Sequence, residues 1–254
     1  MRQNQSEYIL HLERNPVGRD FVVGDIHGHF ELFDLLLKDI DFDFRVDRMI
    51  SVGDTIDRGP ESERAIHYWR QPWFYLVRGN HEALLEGTMG FSSNMYSLWM
   101  QNGGEWSSRV PETLLQEMAA MIKSMPYAIS IDTPMGQVGV VHADMPAHYN
   151  WTKLANDLQK RKLNDKGIKP LLWSRETFRQ YWMALESGVM VEEPQVSGIH
   201  KVYMGHNVVR NPVLYGNMVF IDTGTYCNNT LTAVDLMNED VIIVQPKYDI
   251  YQHV

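Results

Sequence analysis

Three features of the sequence imply an α/β protein built as a two-sheet mixed β-sandwich flanked by helices. The first third alternates short apolar runs with amphipathic stretches in the order β-α-β-α-β, which implies a parallel sheet with right-handed crossovers. The last third reads as successive strands and finishes antiparallel. No interdomain linker, internal repeat or low-complexity tract interrupts the 254 residues, so 1–254 is expected to form a single catalytic-size domain.

Met1 to Asn15 reads as an irregular arm or an edge element. Arg19 to Val23 is the first core strand. In the stretch after it, apolar residues at 33, 36, 37 and 40 have the spacing of a helix packed on a sheet. Met49 to Val52 is the second strand. Glu61 to Trp69 reads as a helix with Pro60 in its first turn. Pro72 stops it, and Phe74 to Val77 is the third strand. Glu82 to Met125 is mostly helical and breaks at Asn102-Gly103-Gly104. Leu114, Leu115, Met118, Met121, Ile122 and Met125 form an apolar stripe that reads as core. Ala128 to Ile131 and Gln137 to Val141 flank a hairpin turn. Asn150 to Gly167, with Lys160, Arg161, Lys162 and Lys166, reads as a solvated helix face. Leu171 to Glu176 leads into another helix, and Ser187 to Ser197 reads as an exposed loop. Lys201 to Met204, Met218 to Asp222, Thr230 to Leu236 and Val241 to Gln245 are strands, the last two a hairpin.

Hydrophobic content of 44% and charged content of 22% are ordinary for a globular chain. Lys plus Arg total 23 and Asp plus Glu total 32, a net charge of −9. That balance argues against nucleic acid or an anionic membrane as partner, and bound divalent cations would neutralise part of it. One cysteine, Cys227, excludes an internal disulfide framework and fits a reducing compartment. No apolar run approaches the roughly 20 residues of a membrane span, and Met1 to Asn15 lacks a signal-peptide core. The expected location is cytoplasmic.

The chemistry lies where apolar runs end. Phe21-Val22-Val23 runs into Gly24-Asp25-Ile26-His27-Gly28, and Met49 to Val52 into Gly53-Asp54-Thr55-Ile56-Asp57-Arg58-Gly59. Phe74 to Val77 runs into Arg78-Gly79-Asn80-His81-Glu82. Val138 to Val141 runs into His142-Ala143-Asp144, and Val202 to Met204 into Gly205-His206. A lone Gly-Asp or Gly-His after a strand is turn chemistry or a helix cap. Five in one chain point instead to a site beyond the carboxyl ends of the strands. Asp25, His27, Asp54, Asn80, His142 and His206 supply carboxylate, imidazole and amide donors, a mixture that suits Mn²⁺, Fe²⁺ or Zn²⁺ better than Ca²⁺. Six ligands exceed the needs of one catalytic ion and suit two ions sharing a bridging carboxylate. His11, His67, His148, His200 and His253 stand outside the pattern, and His29 is only adjacent to it.

In this order the motifs resemble the metallophosphoesterase superfamily, and within it the phosphoprotein phosphatase (PPP) family, in the branch of the bacteriophage lambda protein phosphatase and its bacterial relatives. Pro72-Trp73-Phe74, Asn102-Gly103-Gly104 with Trp106, Trp173-Ser174-Arg175-Glu176 and Ile221-Asp222-Thr223-Gly224 add to the likeness, which spans about Arg19 to Leu236. The resemblance implies the calcineurin-like metallophosphoesterase fold and metal-dependent hydrolysis of phosphate monoesters, with phosphoproteins or phosphopeptides as substrates. It implies Asp25, His27 and Asp54 as ligands of a first ion, and bridging Asp54 with Asn80, His142 and His206 as ligands of a second, most commonly Mn²⁺. It implies His81 as general acid, Asp57 as its orienting partner, and Arg58, Arg175 and Asn80 as phosphate contacts. Arg78 is expected to have a structural role or to support the site residues from behind. Two ions would offset the phosphate charge and acidify a bridging water to hydroxide, and a histidine would protonate the alkoxide leaving group. The nearest alternative is a symmetrical diadenosine tetraphosphate hydrolase of the same superfamily. Asp57 and Glu82 favour the protein phosphatase branch. A metal-dependent nuclease is disfavoured by Gly205-His206-Asn207-Val208, which lacks a second histidine, and a non-catalytic module by the retention of every motif residue.

Overall fold

Two β-sheets lie face to face in the computed structural model, which describes residues 8–90, 93–188 and 193–246. In chain order the elements are β1 (Ile9–Leu12), β2 (Asp20–Val23), α1 (Phe30–Asp39), β3 (Arg48–Ser51), α2 (Ala65–Trp69), β4 (Phe74–Leu76), α3 (Asn80–Thr88), α4 (Ser93–Gln101) and α5 (Glu112–Ile122). There follow β5 (Ala128–Thr133), β6 (Gly136–Val141), α6 (Trp151–Gln159), α7 (Asp165–Trp173), α8 (Glu176–Ser187), β7 (Lys201–Met204), β8 (Val213–Tyr215), β9 (Met218–Phe220), α9 (Thr225–Asn228), β10 (Leu231–Asp235) and β11 (Val241–Val244). One sheet runs β11-β10-β2-β3-β4 and the other β1-β5-β6-β7-β9-β8.

Alternation along the strands builds the layers. Val22, Ile50 and Val77 face inward and meet Ile129, Ile131, Val138, Val140 and Ile221 of the other sheet. Phe21, Val23, Met49 and Phe74 face outward onto α1, α2, α4 and α5. On the opposite flank, Trp151, Leu154 and Leu158 of α6 and Leu171 of α7 cover the six-stranded sheet. Strands buried on both faces explain the uninterrupted apolar runs in the sequence. In the predicted stripe, Leu115, Met118, Ile122 and Met125 are buried, as a core stripe requires.

The parallel triplet β2-β3-β4 forms as its β-α-β-α-β order implies, and both hairpins form. Other expectations need correction. The helix expected over Glu61–Trp69 begins as a 3₁₀ turn at Ser62–Arg64, and only 65–69 is α-helical, so Pro60 lies outside it. The last third is mixed rather than antiparallel, because β7 pairs parallel with both β6 and β9. The intervening β8 was not legible: it has three residues with one exposed, too short for a period to register. The stretch before Asn15, read as an irregular arm or an edge element, holds β1, an edge strand parallel to β5, as the second of those readings expects. The polar stretch after Asn150 is two helices, each started by an asparagine: Asn150 accepts from Lys153 N at 2.8 Å and Asn164 from Gly167 N at 3.3 Å. Part of the loop expected over Ser187–Ser197 lies outside the described residues. No helix among the described residues is long and apolar enough to cross a membrane.

Candidate active site

The carboxyl ends of β2, β3, β4, β6 and β7 converge, and the residues that follow them line one buried cluster. The turns after β3 and β4 meet backbone to backbone. A Cβ on Gly79 would stand 2.2 Å from Asp54 Oδ1, and one on Gly53, at φ 97°, 2.8 Å from Gly79 N. His27, Asp54, Asp57, Arg58 and His206 all adopt positive φ, between 46° and 69°. Left-handed backbone in residues other than glycine persists only where surrounding contacts hold it. Glu82 supplies much of that hold. Its buried carboxylate accepts from Asp54 N (2.9 Å), Thr55 N (2.7 Å), Thr55 Oγ1 (2.8 Å) and Gly79 N (3.0 Å).

Asp54 is central to two groups of donor atoms. His27, Asp54 and His81 offer one set and Asp54, His142 and His206 the other, with the atoms of each set within 4.8 Å of one another. Asp54 Oδ2 lies 3.8 Å from His27 Nε2 and 3.3 Å from His142 Nε2. Asn80 Oδ1 lies 2.8 Å from His142 Nε2 and 2.9 Å from His206 Nδ1, and Asp25 Oδ2 is 3.9 Å from His27 Nε2. The expected ligands Asp25, His27, Asp54, Asn80, His142 and His206 are thus brought together. Proximity also admits His81, whose Nε2 is 3.8 Å from Asp54 Oδ2.

This donor set fits divalent metal. His27 Nδ1 faces Ile56 O at 3.0 Å and His142 Nδ1 faces Val52 O at 2.8 Å, so each ring turns its Nε2 inward, the arrangement of histidines oriented for a metal. Burial pushes the His27 imidazole well down, reinforced by His81, and burial with His142 and Arg175 pushes His206 down to about 2. Neutral imidazole is the ligating form. Burial opposes protonation of His142, but Asp54 beside it raises its pKa. Burial, then Asp222 and Asp54, raise the Asp25 carboxyl, and burial raises Asp222 to about 6. Several carboxyls crowded without a matching cation are the electrostatic counterpart of a cation site.

Beside the cluster, His81 Nδ1 meets Asp57 Oδ2 at 2.7 Å, while His81 Nε2 is buried with no hydrogen-bond partner among the described residues. Two indoles hold Asp57 from behind. Trp106 Nε1 donates to Oδ1 at 2.6 Å and Trp99 Nε1 to Oδ2 at 2.9 Å. Burial raises the Asp57 carboxyl, and the contacts with His81, Trp106 and Trp99 draw it back. The Arg58 guanidinium stacks 4.3 Å over the Tyr226 ring and points Nη1 toward His27 Nε2 at 3.3 Å. Arg175 is exposed and donates to Asn207 Oδ1 at 2.9 Å. Its turn is pinned by buried Asp144, which accepts from Ser174 Oγ (2.9 Å), Thr177 N (3.0 Å) and Thr177 Oγ1 (2.7 Å). Arg78 points away, to Tyr127 Oη and Ile122 O.

Sequence reading missed the tasks of Glu82, Asp144, Trp99 and Tyr226. Glu82 and Asp144 carried a signal, a carboxylate inside a strand-end motif, whereas Trp99 and Tyr226 carried none. Of the histidines outside the pattern, His11 pairs with Asp132 at 3.1 Å and His200 with Glu239 at 3.0 Å, and His253 lies outside the described residues.

Strand-end carboxylate, imidazole and amide donors of this kind, set on two mixed sheets flanked by helices, define a phosphoesterase hydrolase. The chain belongs to the calcineurin-like phosphoesterase family, whose signature spans residues 21–215. It is 32% identical to Serine/threonine-protein phosphatase 1 of Salmonella typhimurium over 216 residues, 84% of this chain and 89% of that one. It is also 42% identical to a symmetrical bis(5'-nucleosyl)-tetraphosphatase of Shewanella sediminis, over only 64 residues, 24% of this chain and 23% of that one. Its fold is shared with a solved structure described as a putative diadenosine tetraphosphatase, at 20% identity and TM-score 0.62, covering 94% of this chain and 97% of the other.

Proposed function

We propose that residues 1–254 act as one catalytic domain, a metal-dependent serine/threonine phosphoprotein phosphatase of the cytoplasm. The observation that carries this reading is the contact between His81 Nδ1 and Asp57 Oδ2 at 2.7 Å, with His81 Nε2 buried beside the ligand cluster and without a hydrogen-bond partner among the described residues. Asp25, His27 and Asp54 would hold one divalent ion, and Asp54, Asn80, His142 and His206 the other. Manganese is the proposed metal, and iron or zinc would suit the same donors. When bound, the two ions supply charge compensation for the phosphate dianion and an acidified water nucleophile.

The chain's own residues do the rest. Arg58 and Arg175 grip the phosphoryl oxygens, where planar guanidinium forks match the geometry better than ammonium would, and Asn80 adds a further phosphate contact. Asp57 accepts a hydrogen bond from His81 Nδ1–H and so orients the ring, whose imidazolium form carries a second proton on Nε2 for the serine or threonine alkoxide, a poor leaving group. Trp99 and Trp106 fix the direction of Asp57 and keep water from it.

The His81→Asn variant tests the assignment. It should slow hydrolysis of a phosphoserine peptide by about 10²-fold or more, and slow p-nitrophenyl phosphate less, because that phenolate leaves without a proton. Equal slowing of both, or loss of a bound metal, would move His81 into the ligand set. The local identity to a tetraphosphatase motivates a second reading, hydrolysis of diadenosine tetraphosphate. The length of the match to a protein phosphatase, with Asp57 and Glu82 both engaged in the site, supports the first. A kcat/KM for phosphopeptide far below that for diadenosine tetraphosphate would reverse the choice.

A further inference from the structure

Arg58 also lines a cavity of about 360 Å³, whose lining includes Glu105, Trp106 and Arg109. The wall is rigidly registered to the phosphate-gripping residue. Arg58 N donates to Gly103 O at 3.2 Å, and Gly103 is at φ 99°. A Cβ on Gly103 would stand 2.7 Å from Arg58 N and 2.9 Å from Arg58 Cγ. From Gly104 to Arg109 the chain is one 3₁₀ segment, anchored by the Trp106 bond to Asp57. The Asn102-Gly103-Gly104 break therefore serves to dock this segment on Arg58.

The cavity carries surplus positive charge. Among the described residues neither Arg58 nor Arg109 forms an ion pair, whereas Arg19, Arg48, Arg64 and Arg70 each hold a carboxylate. Glu105 is the single carboxylate in the lining, against two guanidiniums. Arg58 is turned toward the cluster, where its charge acts on Asp25 and Asp222, so in a chain of net charge −9 it is Arg109, with no ion pair among the described residues, that marks a place for an anion.

Resting on the phosphoprotein phosphatase reading, we propose that this cavity is a specificity subsite in which Arg109 receives the carboxylate of a Glu or Asp residue flanking the phosphorylated one. Arg58 keeps the scissile phosphoryl group, and Arg109 reads the neighbour. The preferred substrates are then phosphoserine or phosphothreonine segments with an acidic residue on the side that runs over the 3₁₀ segment.

The test uses paired phosphopeptides that carry Glu or Gln at each of two positions before and after the phosphoserine. The wild-type protein should favour Glu over Gln in kcat/KM at one of these positions by about 2- to 5-fold, the size of a solvent-accessible ion pair, and salt should erode that ratio. Arg109→Gln should bring the ratio to one, and Arg109→Glu should turn it toward Gln. Because each ratio is taken within one preparation, partial loss of folded protein does not disturb it. A wild-type ratio of one at every position, or a preference that survives Arg109→Gln, would overturn the subsite while leaving the phosphatase activity standing. Hydrolysis of neither the peptides nor p-nitrophenyl phosphate would overturn both.

Discussion

Glu82 shows how one carboxylate can hold a site together without touching substrate. Its oxygens gather four donors from the turns after β3 and β4, at 2.7 to 3.0 Å. Burial raises its carboxyl, the charge of Asp54 adds to that, and the Thr55 bonds work against it. A glutamine has one acceptor oxygen and a pair of N–H donors, which would face other donors here. Glu82→Gln should cost about 1–3 kcal/mol, read as a lower urea midpoint at unchanged slope. Activity should fall with it, since Asp54 loses the anchor of its left-handed backbone. An unchanged midpoint would show that the turns are held by their glycine packing alone.

The elements around the site differ in how they deliver their residues. Strand ends carry their polar side chains directly into the cluster, whereas Arg175 arrives from the turn between α7 and α8, which a remote residue anchors. Asp144, just past β6, supplies the anchor by accepting from Thr177 N in the first turn of α8, where Arg175 makes no side-chain cap bond and Ser174 Oγ accepts from Glu176 N at 3.2 Å. The Asp144→Asn variant should loosen the turn and raise KM for a phosphomonoester by about 3- to 10-fold, the effect of one lost charge-assisted hydrogen bond. Its kcat should move less. Combined with Arg175→Ala it should add little, because both changes remove the same grip. Full additivity in that double-mutant cycle would separate Asp144 from Arg175.

Across the molecule, the site joins the two sheets. Asp25, Asp54 and Asn80 follow strands of the five-stranded sheet, while His142 and His206 follow strands of the six-stranded one. A cation bound among them would cross-link the sandwich and bind the folded state alone. Exhaustive chelation should therefore abolish activity and lower Tm, and Mn²⁺ should restore both in a concentration-dependent way. At a hundred times Kd the stabilisation from one site is about 2.7 kcal/mol. Full activity in metal-free protein would refute the dinuclear reading.

What local patterns determined is the set of strand ends and the residues on them. A buried strand is a short apolar run, and the polar residue that ends it can be read without knowing any partner. Asp25, His27, Asp54, Asn80, His142 and His206 were legible for that reason, as was the helical stripe from Leu115 to Met125. Tertiary structure alone decided which distant segments meet. Trp99 and Trp106 reach Asp57 from 42 and 49 residues away, and Asp144 reaches Ser174 across 30. Trp99 does not differ in sequence from a tryptophan that only fills core, and Trp106 stood out only through the likeness around Asn102-Gly103-Gly104. Pairing direction is likewise not local: β7 lies parallel to β6 and β9 because long connections let it, and no residue within 201–204 specifies that. Side-chain periodicity reports which face is buried, while the identity of the neighbour across that face depends on how every intervening helix and loop packs.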